Sequence, residues 1–396
     1  APEGGPPNNW LSVFGGPAWT YDGPTGQFYL HSFLKEQPDL NWRNPAVREA
    51  MADVLRFWLE RGVSGFRLDV AHRIAKDPEM RDDLVVEGSL DQLGKDMADY
   101  GTLDHVNSLG HEDAHGYFRE IRSVLDEYGD TYSVGEIHEG DWEKWASWHG
   151  DDDELHQVFD FSLLSAPWTP DGIGDLLDAQ EVAVGDRFWP NHVMGNHDEP
   201  RLASRRGPAA ARVAAVLLLT TRGTPTLYYG DELGMVDADI PPGQQLDPWA
   251  HGAAVAGRDG CRSPMQWDGG DHAGFSPAGT EATWLPIADG FEERCVDGQL
   301  ADADSMLNLY RDLLALRRAE PALHAGDYRR LGAPDGVLAY ERGGQFVVLV
   351  SFAGEPVSVP VPESVVAIAT DRSLDGTAFS GELTLQGNQA VVLSLT

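Results

Sequence analysis

The sequence predicts an α/β fold, a (β/α)8 barrel followed by a small antiparallel β-sandwich domain. Short apolar β-runs at residues 63–72, 131–137 and 191–198 each follow a helical segment, an order typical of parallel sheets. Each run ends near an acidic residue, and a parallel barrel carries its functional groups at the carboxyl ends of its strands. After Pro321 short alternating strands separated by turns indicate a second, antiparallel domain.

Length and charge exclude several classes of protein. The 396 residues are enough for one large and one small domain, and 29 basic against 64 acidic residues give a net charge of −35. Nucleic-acid binding needs a basic face, so this class is excluded. No apolar run is long enough to span a bilayer, and the two cysteines form no framework. We therefore expect a cytoplasmic protein without a membrane partner.

The stretch 63–72, with the letters VSGFRLDVAH, is the clearest of the β-runs. Phe66 and Leu68 supply apolar bulk, while Arg67 and Asp69 interrupt it with charges. Residues two apart on a strand point to the same face, so the guanidinium and the carboxylate lie side by side. Taken alone, this pair fits a structural ion pair that closes a strand as well as it fits a functional site.

Two later runs also end on acids. Glu136 ends the run at 131–137, and His197 with Asp198 ends the run at 191–198. Structural ion pairs do not produce acids at three successive strand ends by chance. The pattern predicts that Asp69, Glu136 and Asp198 converge on one pocket.

The remaining elements follow in order. Asn44 and Pro45 are typical of a helix start, and the spacing from Val47 to Trp58 places the apolar residues on one face of the helix. Further helices are predicted at 112–128, 171–182, 208–222 and 304–318, and barrel strands at 158–164 and 226–230. The last strands are predicted at 337–339, 346–352, 357–361, 365–369 and 390–395. This gives three regions: 1–45, an excursion over the barrel mouth; 46–323, the barrel; and 324–396, the β domain.

Five short motifs carry a resemblance to a known family. GFRLD (65–69), VGE (134–136) and GNHD (195–198) resemble conserved regions of the α-amylase family, glycoside hydrolase family 13. QPDLN (37–41) resembles its oligo-1,6-glucosidase group, and GTPTLYYGDE (223–232) is similar to the family's last barrel strand. The five motifs occur in the family's order, and the resemblance spans nearly the whole chain.

The resemblance implies glycosidic cleavage with retention, which needs one ionised and one protonated carboxyl group. It makes Asp69 the nucleophile, Glu136 the acid/base and Asp198 the transition-state stabiliser. The residues agree: Arg67 beside Asp69 favours an ionised carboxyl group, and Glu136 has no adjacent cation in the sequence, which favours a raised pKa. Asp198 beside His197 suits a group that grips sugar hydroxyls.

The resemblance also implies a set of substrate-binding residues. Arg67 and His197 match residues that bind the innermost glucose, and Arg201 matches an arginine that helps close the pocket. Phe14 and Phe33 match positions that wall the sugar pocket, where aromatic rings pack on C–H faces. Val70 follows the nucleophile, and valine at this position accompanies α-1,6 cleavage.

These features predict a retaining, exo-acting α-glucosidase that hydrolyses α-1,4 or α-1,6 bonds of short oligosaccharides, with transglycosylation as a side reaction. The alternative is a sucrose or trehalose isomerase or a glucosyltransferase of the same family. A non-catalytic homologue associated with a transporter is a third reading. It is disfavoured because all three acids are present and no membrane helix is visible.

The chain is expected to be the carboxyl-terminal part of such an enzyme, with only about the last five strands of the barrel. Region 1–45 then corresponds to the end of an inserted subdomain B. The partners expected are a small oligosaccharide and the amino-terminal remainder of the barrel, on the same or a separate chain. No cofactor is expected, and a structural calcium ion would lie on that remainder, not on a metal site of this chain.

Overall fold

Parallel strands alternate with helices over much of the chain. A computed structural model describes residues 5–87, 100–251 and 257–396. The first four residues of the predicted region 1–45 lie outside the described residues. The chain divides into two units, residues 1–159 and 160–396, which are described in turn.

Among its described residues, the first unit contains seven strands and three α-helices. The strands are β1 (Trp19–Asp22), β2 (Gln27–Leu30), β3 (Gly65–Leu68), β4 (Leu84–Val85), β5 (Leu103–Asp104), β6 (Tyr132–Gly135) and β7 (Gln157–Asp160), the last of which crosses the boundary. The helices are α1 (Pro45–Leu59), α2 (Asp113–Asp126) and α3 (Trp142–Ser147), and a 3-10 turn covers Ala71–Arg73.

Strands β3, β6 and β7 form the parallel sheet that carries the first two acids. β3 pairs with β6 in a register that sets Arg67 opposite Val134 and Leu68 opposite Gly135. β6 pairs with β7 through Val134 and Gly135. Gly135 is required at this contact because a Cβ atom there would lie 2.5 Å from Leu155 Cδ1. The parallel arrangement brings the carboxyl ends of β3 and β6 to one edge, as predicted.

Helix α1 begins as predicted but does not bury the predicted face. The Asn44 side chain accepts a hydrogen bond from Ala46 N–H, and Pro45 occupies the first turn. Leu59 is the only buried residue of α1, whereas Val54 and Trp58 are 45% and 48% exposed. The periodicity shows which side of a helix is apolar, but burial needs a neighbour, and the described residues cover these side chains only in part.

In the second unit, residues 160–251 and 257–396 form eight more strands and eight α-helices. The strands are β8 (Asn191–Val193), β9 (Thr224–Thr226), β10 (Tyr328–Leu331), β11 (Val337–Arg342), β12 (Phe346–Ser351), β13 (Val357–Ala369), β14 (Ala378–Leu385) and β15 (Ala390–Leu395). The helices are α4 (Ser162–Ser165), α5 (Pro170–Val184), α6 (Leu202–Arg206), α7 (Pro208–Thr220), α8 (Phe291–Arg294), α9 (Val296–Leu300), α10 (Met306–Ala319) and α11 (Pro321–His324).

β8 and β9 pair in parallel, with Asn191 opposite Thr224. Helix α7 is the buried helix that the Ala/Leu-rich sequence predicts, because ten of its residues are buried. Its apolar side chains form one core with α10 and the last sheet. The carboxyl-terminal unit therefore packs its helices against one face of a β-sheet.

The last sheet has six antiparallel strands in the order β10-β11-β12-β15-β13-β14. Along β12, Phe346, Val348 and Val350 join the core with α7, while Val347 and Leu349 join a second apolar cluster on the opposite face. This period of two is the signal that predicts an antiparallel domain. The predicted strands 357–361 and 365–369 form one strand, β13, because a register shift between Val361 and Ser364 carries it past its prolines.

No helix among the described residues is both long and apolar enough to cross a membrane.

Candidate active site

The first part of the candidate site lies where β3 and β6 end. Arg67 Nη1 lies 2.8 Å from Asp69 Oδ1, and Arg67 Nη2 contacts the Glu136 carboxylate. Glu136 is 4% exposed, whereas the Asp69 side chain is 70% exposed. A single guanidinium therefore joins a buried and an exposed carboxylate, and Arg67, Asp69 and Glu136 come together as the sequence predicts.

Glu136 has no adjacent cation in the sequence, but the fold brings one to it. Arg67 contacts its carboxylate, and His138 Nε2 lies 3.1 Å from Glu136 Oε1. The sequence shows only chain neighbours, whereas β3 and β6 are hydrogen-bonded neighbours that are 69 residues apart in this contact. The arginine that was assigned to Asp69 therefore serves both carboxylates.

His72 packs against the backbone at the carboxyl ends of β3 and β6. It is 3% exposed, and its Nδ1 lies 3.4 Å from the Glu136 carbonyl oxygen. Burial, together with the positive charge of Arg73, lowers the pKa of His72 to about 3. The imidazole is therefore neutral at ordinary pH and acts as a packed polar group rather than as a charge.

The predicted aromatic wall is a contact pair. The rings of Phe14 and Phe33 are 6.0 Å apart in an edge-to-face arrangement, and both residues are half-buried. Ser12 Oγ–H donates to Phe33 O and accepts a bond from Phe14 N–H, which fixes the pair. Arg73, just after the Asp69 strand, places its Cζ 5.5 Å from the Phe33 ring centre. This cation–π contact ties the wall to the segment that carries Asp69.

Arg67 and Asp69 also line an apolar cleft of about 500 Å³ between α1 and β3. Its walls are apolar side chains of both elements, which include Val54, Trp58 and Phe66. The charged pair therefore stands at the border of an apolar surface.

The second part of the candidate site is built around Asp198. Strand β8 ends at Val193, so Asp198 lies on the loop after the strand and not on the strand itself. The Asn196 side chain accepts hydrogen bonds from the N–H groups of Asp198 and Glu199, which shapes this loop. His197 Nε2 lies 3.4 Å from Asp198 Oδ2. His197 and Asp198 are therefore neighbours as predicted.

Two arginines that the sequence analysis did not single out hold Asp198. Arg258 Nη1 and Arg262 Nη2 lie 2.7 Å and 3.0 Å from Asp198 Oδ1, and both come from a 3-10 helix at Arg258–Arg262. Arg262 Nε also donates to the His197 carbonyl oxygen at 2.8 Å.

Arg258 is itself fixed by a buried acid. Its Nε and Nη2 donate to the two oxygens of Asp247 at 2.9 Å each, and Asp247 is 2% exposed. Although burial acts to raise it, the hydrogen bonds from Arg258 hold the pKa of Asp247 well below its usual range. This two-pronged pair fixes the direction of the guanidinium that reaches Asp198.

Arg201 lies in the interior and not on an open pocket wall. It is 1% exposed, its Nη1 donates to the Tyr229 carbonyl oxygen at 2.7 Å, and its guanidinium stacks on the rings of Tyr228 and Tyr229. Its backbone N–H donates to Asp237. In this chain Arg201 supports the loop after Asp198, which differs from the predicted contact with substrate.

A cavity of about 280 Å³ opens beside Asp198. It is lined by Pro200, Arg258 and Cys261 together with the acids Asp237, Asp239 and Asp259. The cysteine is protonated at ordinary pH because burial, followed by the charge of Asp237, raises its pKa to about 11. The lining therefore offers hydrogen-bond acceptors and donors but no reactive thiolate.

Among the described residues no group of three or more His, Cys, Asp or Glu side chains is arranged to hold a metal ion. The calcium ion expected from the resemblance concerns residues outside this chain and stays a prediction.

Comparisons with known proteins agree on one family. The alpha amylase catalytic domain family matches residues 1–326. A probable alpha-glucosidase of Rhizobium meliloti is 36% identical over 86% of this chain and 64% of its own length. An oligo-1,6-glucosidase of Heyndrickxia coagulans is 34% identical over 83% of this chain and 64% of its own length. Among solved structures, an alpha-glucosyl transfer enzyme is 33% identical and covers 99% of this chain and 75% of its own, with a TM-score of 0.86.

The chain spans about 64% of the length of these two curated relatives. The likeness to the solved structure extends over almost the whole chain at more than 30% identity. It confirms the predicted fold class, a barrel of the (β/α)8 type with a carboxyl-terminal antiparallel domain. The chain therefore belongs to the α-amylase family, glycoside hydrolase family 13, within its oligo-1,6-glucosidase and α-glucosidase group.

Proposed function

We propose that this chain carries the catalytic residues of a retaining, exo-acting α-glucosidase. The enzyme hydrolyses α-1,4 or α-1,6 glucosidic bonds of short oligosaccharides through a covalent glucosyl-enzyme, with transglycosylation as a side reaction. The observation that carries the proposal is the guanidinium of Arg67, which joins the carboxylates of Asp69 and Glu136 at the ends of neighbouring strands.

Asp69 is the nucleophile in this proposal. Its side chain is exposed, and Arg67 at 2.8 Å stabilises the ionised form that attack requires. Attack on the anomeric carbon forms a glucosyl ester on Asp69 and breaks the glycosidic bond. Water then hydrolyses the ester, so that two inversions give net retention.

Glu136 is the acid/base. It gives its proton to the leaving oxygen in the first step and takes one from water in the second. The contact with Arg67 stabilises ionised Glu136, so the acid role needs this arginine to turn away from it. A glucose unit does this in our proposal, because its hydroxyl groups accept hydrogen bonds from Arg67 and leave Glu136 free to hold a proton.

Asp198 stabilises the transition state. Its carboxylate is held by Arg258 and Arg262, so it is fixed in direction before substrate arrives. A carboxylate of this kind gains most when positive charge develops on the sugar ring. His197 beside it offers a donor for a sugar hydroxyl group.

The remaining residues of the proposed site bind the substrate. We propose that Arg67 and His197 bind the innermost glucose, that Phe14 and Phe33 wall its apolar face, and that Val70 lies beside the scissile linkage. Arg201 contributes through the loop that it supports. The convergence of Asp69, Glu136 and Asp198 on one glucose is part of the proposal.

We also propose that the rest of the barrel, on the same or a separate chain, is this chain's partner. The enzyme needs no cofactor, since carboxyl groups supply all of the chemistry, and nucleic acid is no partner because of the charge of −35. The cytoplasm is the proposed location, in keeping with the two free, buried cysteines.

A second candidate function is glucosyl transfer or sugar isomerisation through the same glucosyl-enzyme. The likeness to a solved alpha-glucosyl transfer enzyme favours it. The two outcomes share Asp69 and Glu136 and differ in whether water or a sugar hydroxyl group attacks the ester.

The test measures free glucose and transfer products from maltose, isomaltose and sucrose with the purified enzyme, and the anomeric form of the first product by NMR. We expect glucose in its α form, with isomaltose preferred over maltose if Val70 tracks linkage. Release of β-glucose would contradict the retaining mechanism, and the absence of glucose from all three sugars would contradict the activity. Conversion of sucrose into an isomer without free glucose would favour the second candidate.

A further inference from the structure

We infer that Val70 is a positioning residue for both candidate catalytic carboxylates, through a bulge in the strand pair that carries them. The inference concerns the backbone of Val70, whereas its proposed role at the linkage concerns the side chain. It rests on the roles proposed for Asp69 and Glu136.

The hydrogen bonds between β3 and β6 contain one irregular step. In a regular parallel pair, the residue opposite Asp69 donates its N–H to residue 68 and accepts from the N–H of residue 70. Glu136 N–H does donate to the Leu68 carbonyl oxygen, at 2.9 Å. Its own carbonyl oxygen, however, accepts from Ala71 N–H at 2.9 Å. The β3 side therefore has one residue too many, which defines a β-bulge.

Val70 is the extra residue, and its backbone is left-handed, with φ 38° and ψ 45°. A β-branched side chain is strongly disfavoured in this region, where glycine or asparagine is the usual occupant. Among the described non-glycine residues with positive φ, Val70 is the only β-branched one. Strain of this kind persists where the surroundings enforce it, and it is concentrated at functional sites.

The surroundings of the bulge fix it on both sides. Before it, Leu68 belongs to the regular ladder. After it, Val70 O accepts from Arg73 N–H at 2.9 Å and starts the 3-10 turn, while Ala71 is 1% exposed. Packing and hydrogen bonds on either side thus leave the left-handed conformation as the way to connect β3 with the turn.

The consequence concerns the two carboxylates together. The hydrogen bonds before and after the bulge, from Glu136 N–H to Leu68 O and from Ala71 N–H to Glu136 O, both involve Glu136. They hold the backbone of Asp69 next to the backbone of Glu136. A retaining glycosidase needs a fixed separation between its nucleophile and its acid/base. The bulge sets that separation through the backbone, and Arg67 then orients the two side chains.

The experiment compares Val70→Asn with Val70→Pro. Both replacements remove the valine side chain, but asparagine tolerates the left-handed region, whereas proline fixes φ near −65° and forbids it. Proline removes no ladder bond, since Ala71 and not Val70 donates to Glu136. The measurements are kcat and KM on isomaltose and maltose, and the exchange rate of the Ala71 amide hydrogen.

Both variants lower kcat through the changed side chain. We expect kcat of Val70→Pro to lie at least about 100-fold below that of Val70→Asn on both sugars, with KM changed by less than about threefold, because misplacement of reacting groups acts on kcat. We expect Ala71 exchange to be protected in Val70→Asn and lost in Val70→Pro. Equal kcat values, or equal Ala71 protection, would overturn the inference.

Two further outcomes are distinguishable. If Val70→Pro does not fold, the thermal unfolding of Val70→Asn decides. We expect the midpoint temperature of Val70→Asn to lie above that of the natural protein, because the backbone strain is released. A lower midpoint temperature would overturn the inference. If the natural protein releases no glucose, the proposed function fails. Amide exchange and thermal unfolding then still decide whether the bulge exists as a strained, left-handed step.

Discussion

Asp69 and Asp198 are both held by arginine, but the two arrangements differ in reach and burial. Asp69, which directly follows β3, is bound by Arg67, two residues earlier on that strand, and its side chain is 70% exposed. Asp198 is bound by Arg258 and Arg262, which lie 60 and 64 residues further along the chain, and it is 29% exposed.

The difference fits the roles proposed for the two carboxylates. A nucleophile must reach the anomeric carbon, and Asp69 is held from one side and open on the other. A carboxylate that stabilises charge forms no bond, which is compatible with the two arginines around Asp198. An arginine close in sequence thus leaves Asp69 accessible, whereas two arginines from a distant segment hold Asp198 from more directions.

The strongest test of this comparison replaces each acid by its amide. We expect Asp69→Asn to lower kcat by about 10⁴-fold or more, because no ester can form, and Asp198→Asn by about 10² to 10³-fold, because only stabilisation is lost. Glucose release from isomaltose and circular dichroism of each variant are the measurements. If Asp198→Asn were the more damaging change, the two roles would have to be exchanged.

The next test concerns stability rather than activity. Asp247→Ala removes the buried partner of Arg258, and we expect a loss of about 3 kcal/mol in the free energy of unfolding because the guanidinium, which is 19% exposed, loses its two-pronged partner and keeps only Asp198. Asp69→Ala removes the partner of a half-exposed arginine and should cost less than about 1 kcal/mol. Urea unfolding of both variants measures the two losses. Equal losses would show that burial does not distinguish the two sites.

The last test concerns a dependence of stability on pH, which belongs to the Asp69 side. The pKa of His72 is 6.5 in the unfolded chain and about 3 in the folded one. The unfolded chain therefore binds the extra proton first, and stability falls as pH decreases below 6.5, by about 1.4 kcal/mol per pH unit until pH 3. The difference between the natural protein and His72→Gln, measured by urea unfolding at pH 7, 6, 5 and 4, isolates this term. Parallel stability curves for the two proteins would contradict it.

The Asp69 side could largely be predicted from the sequence, because strands are read from local patterns. The apolar bulk around Arg67 and Asp69, and the run that ends at Glu136, predict two strands, and parallel strands bring their ends together. The contact between Arg67 and Glu136 could not be predicted in the same way. It depends on the register between β3 and β6, which no local pattern specifies.

The Asp198 side could be predicted only in part. His197 and Asp198 are visible as neighbours, but Arg258 and Arg262 arrive from an irregular segment without helical or strand periodicity. The burial of Arg201 was also hidden, because an arginine in a loop sequence looks like a surface residue until Tyr228 and Tyr229 are known to cover it. For α1, the apolar side was predicted, but the degree of its burial was not.

The exposed side of α1 has a consequence for the life of the chain in a cell. Val54, Phe57 and Trp58 present almost half of their surface to solvent, next to the apolar cleft along β3. Exposed apolar surfaces of this kind bind chaperones and promote the aggregation of newly made chains. We therefore expect the yield of folded protein during expression to depend on how long this side of α1 stays exposed after synthesis.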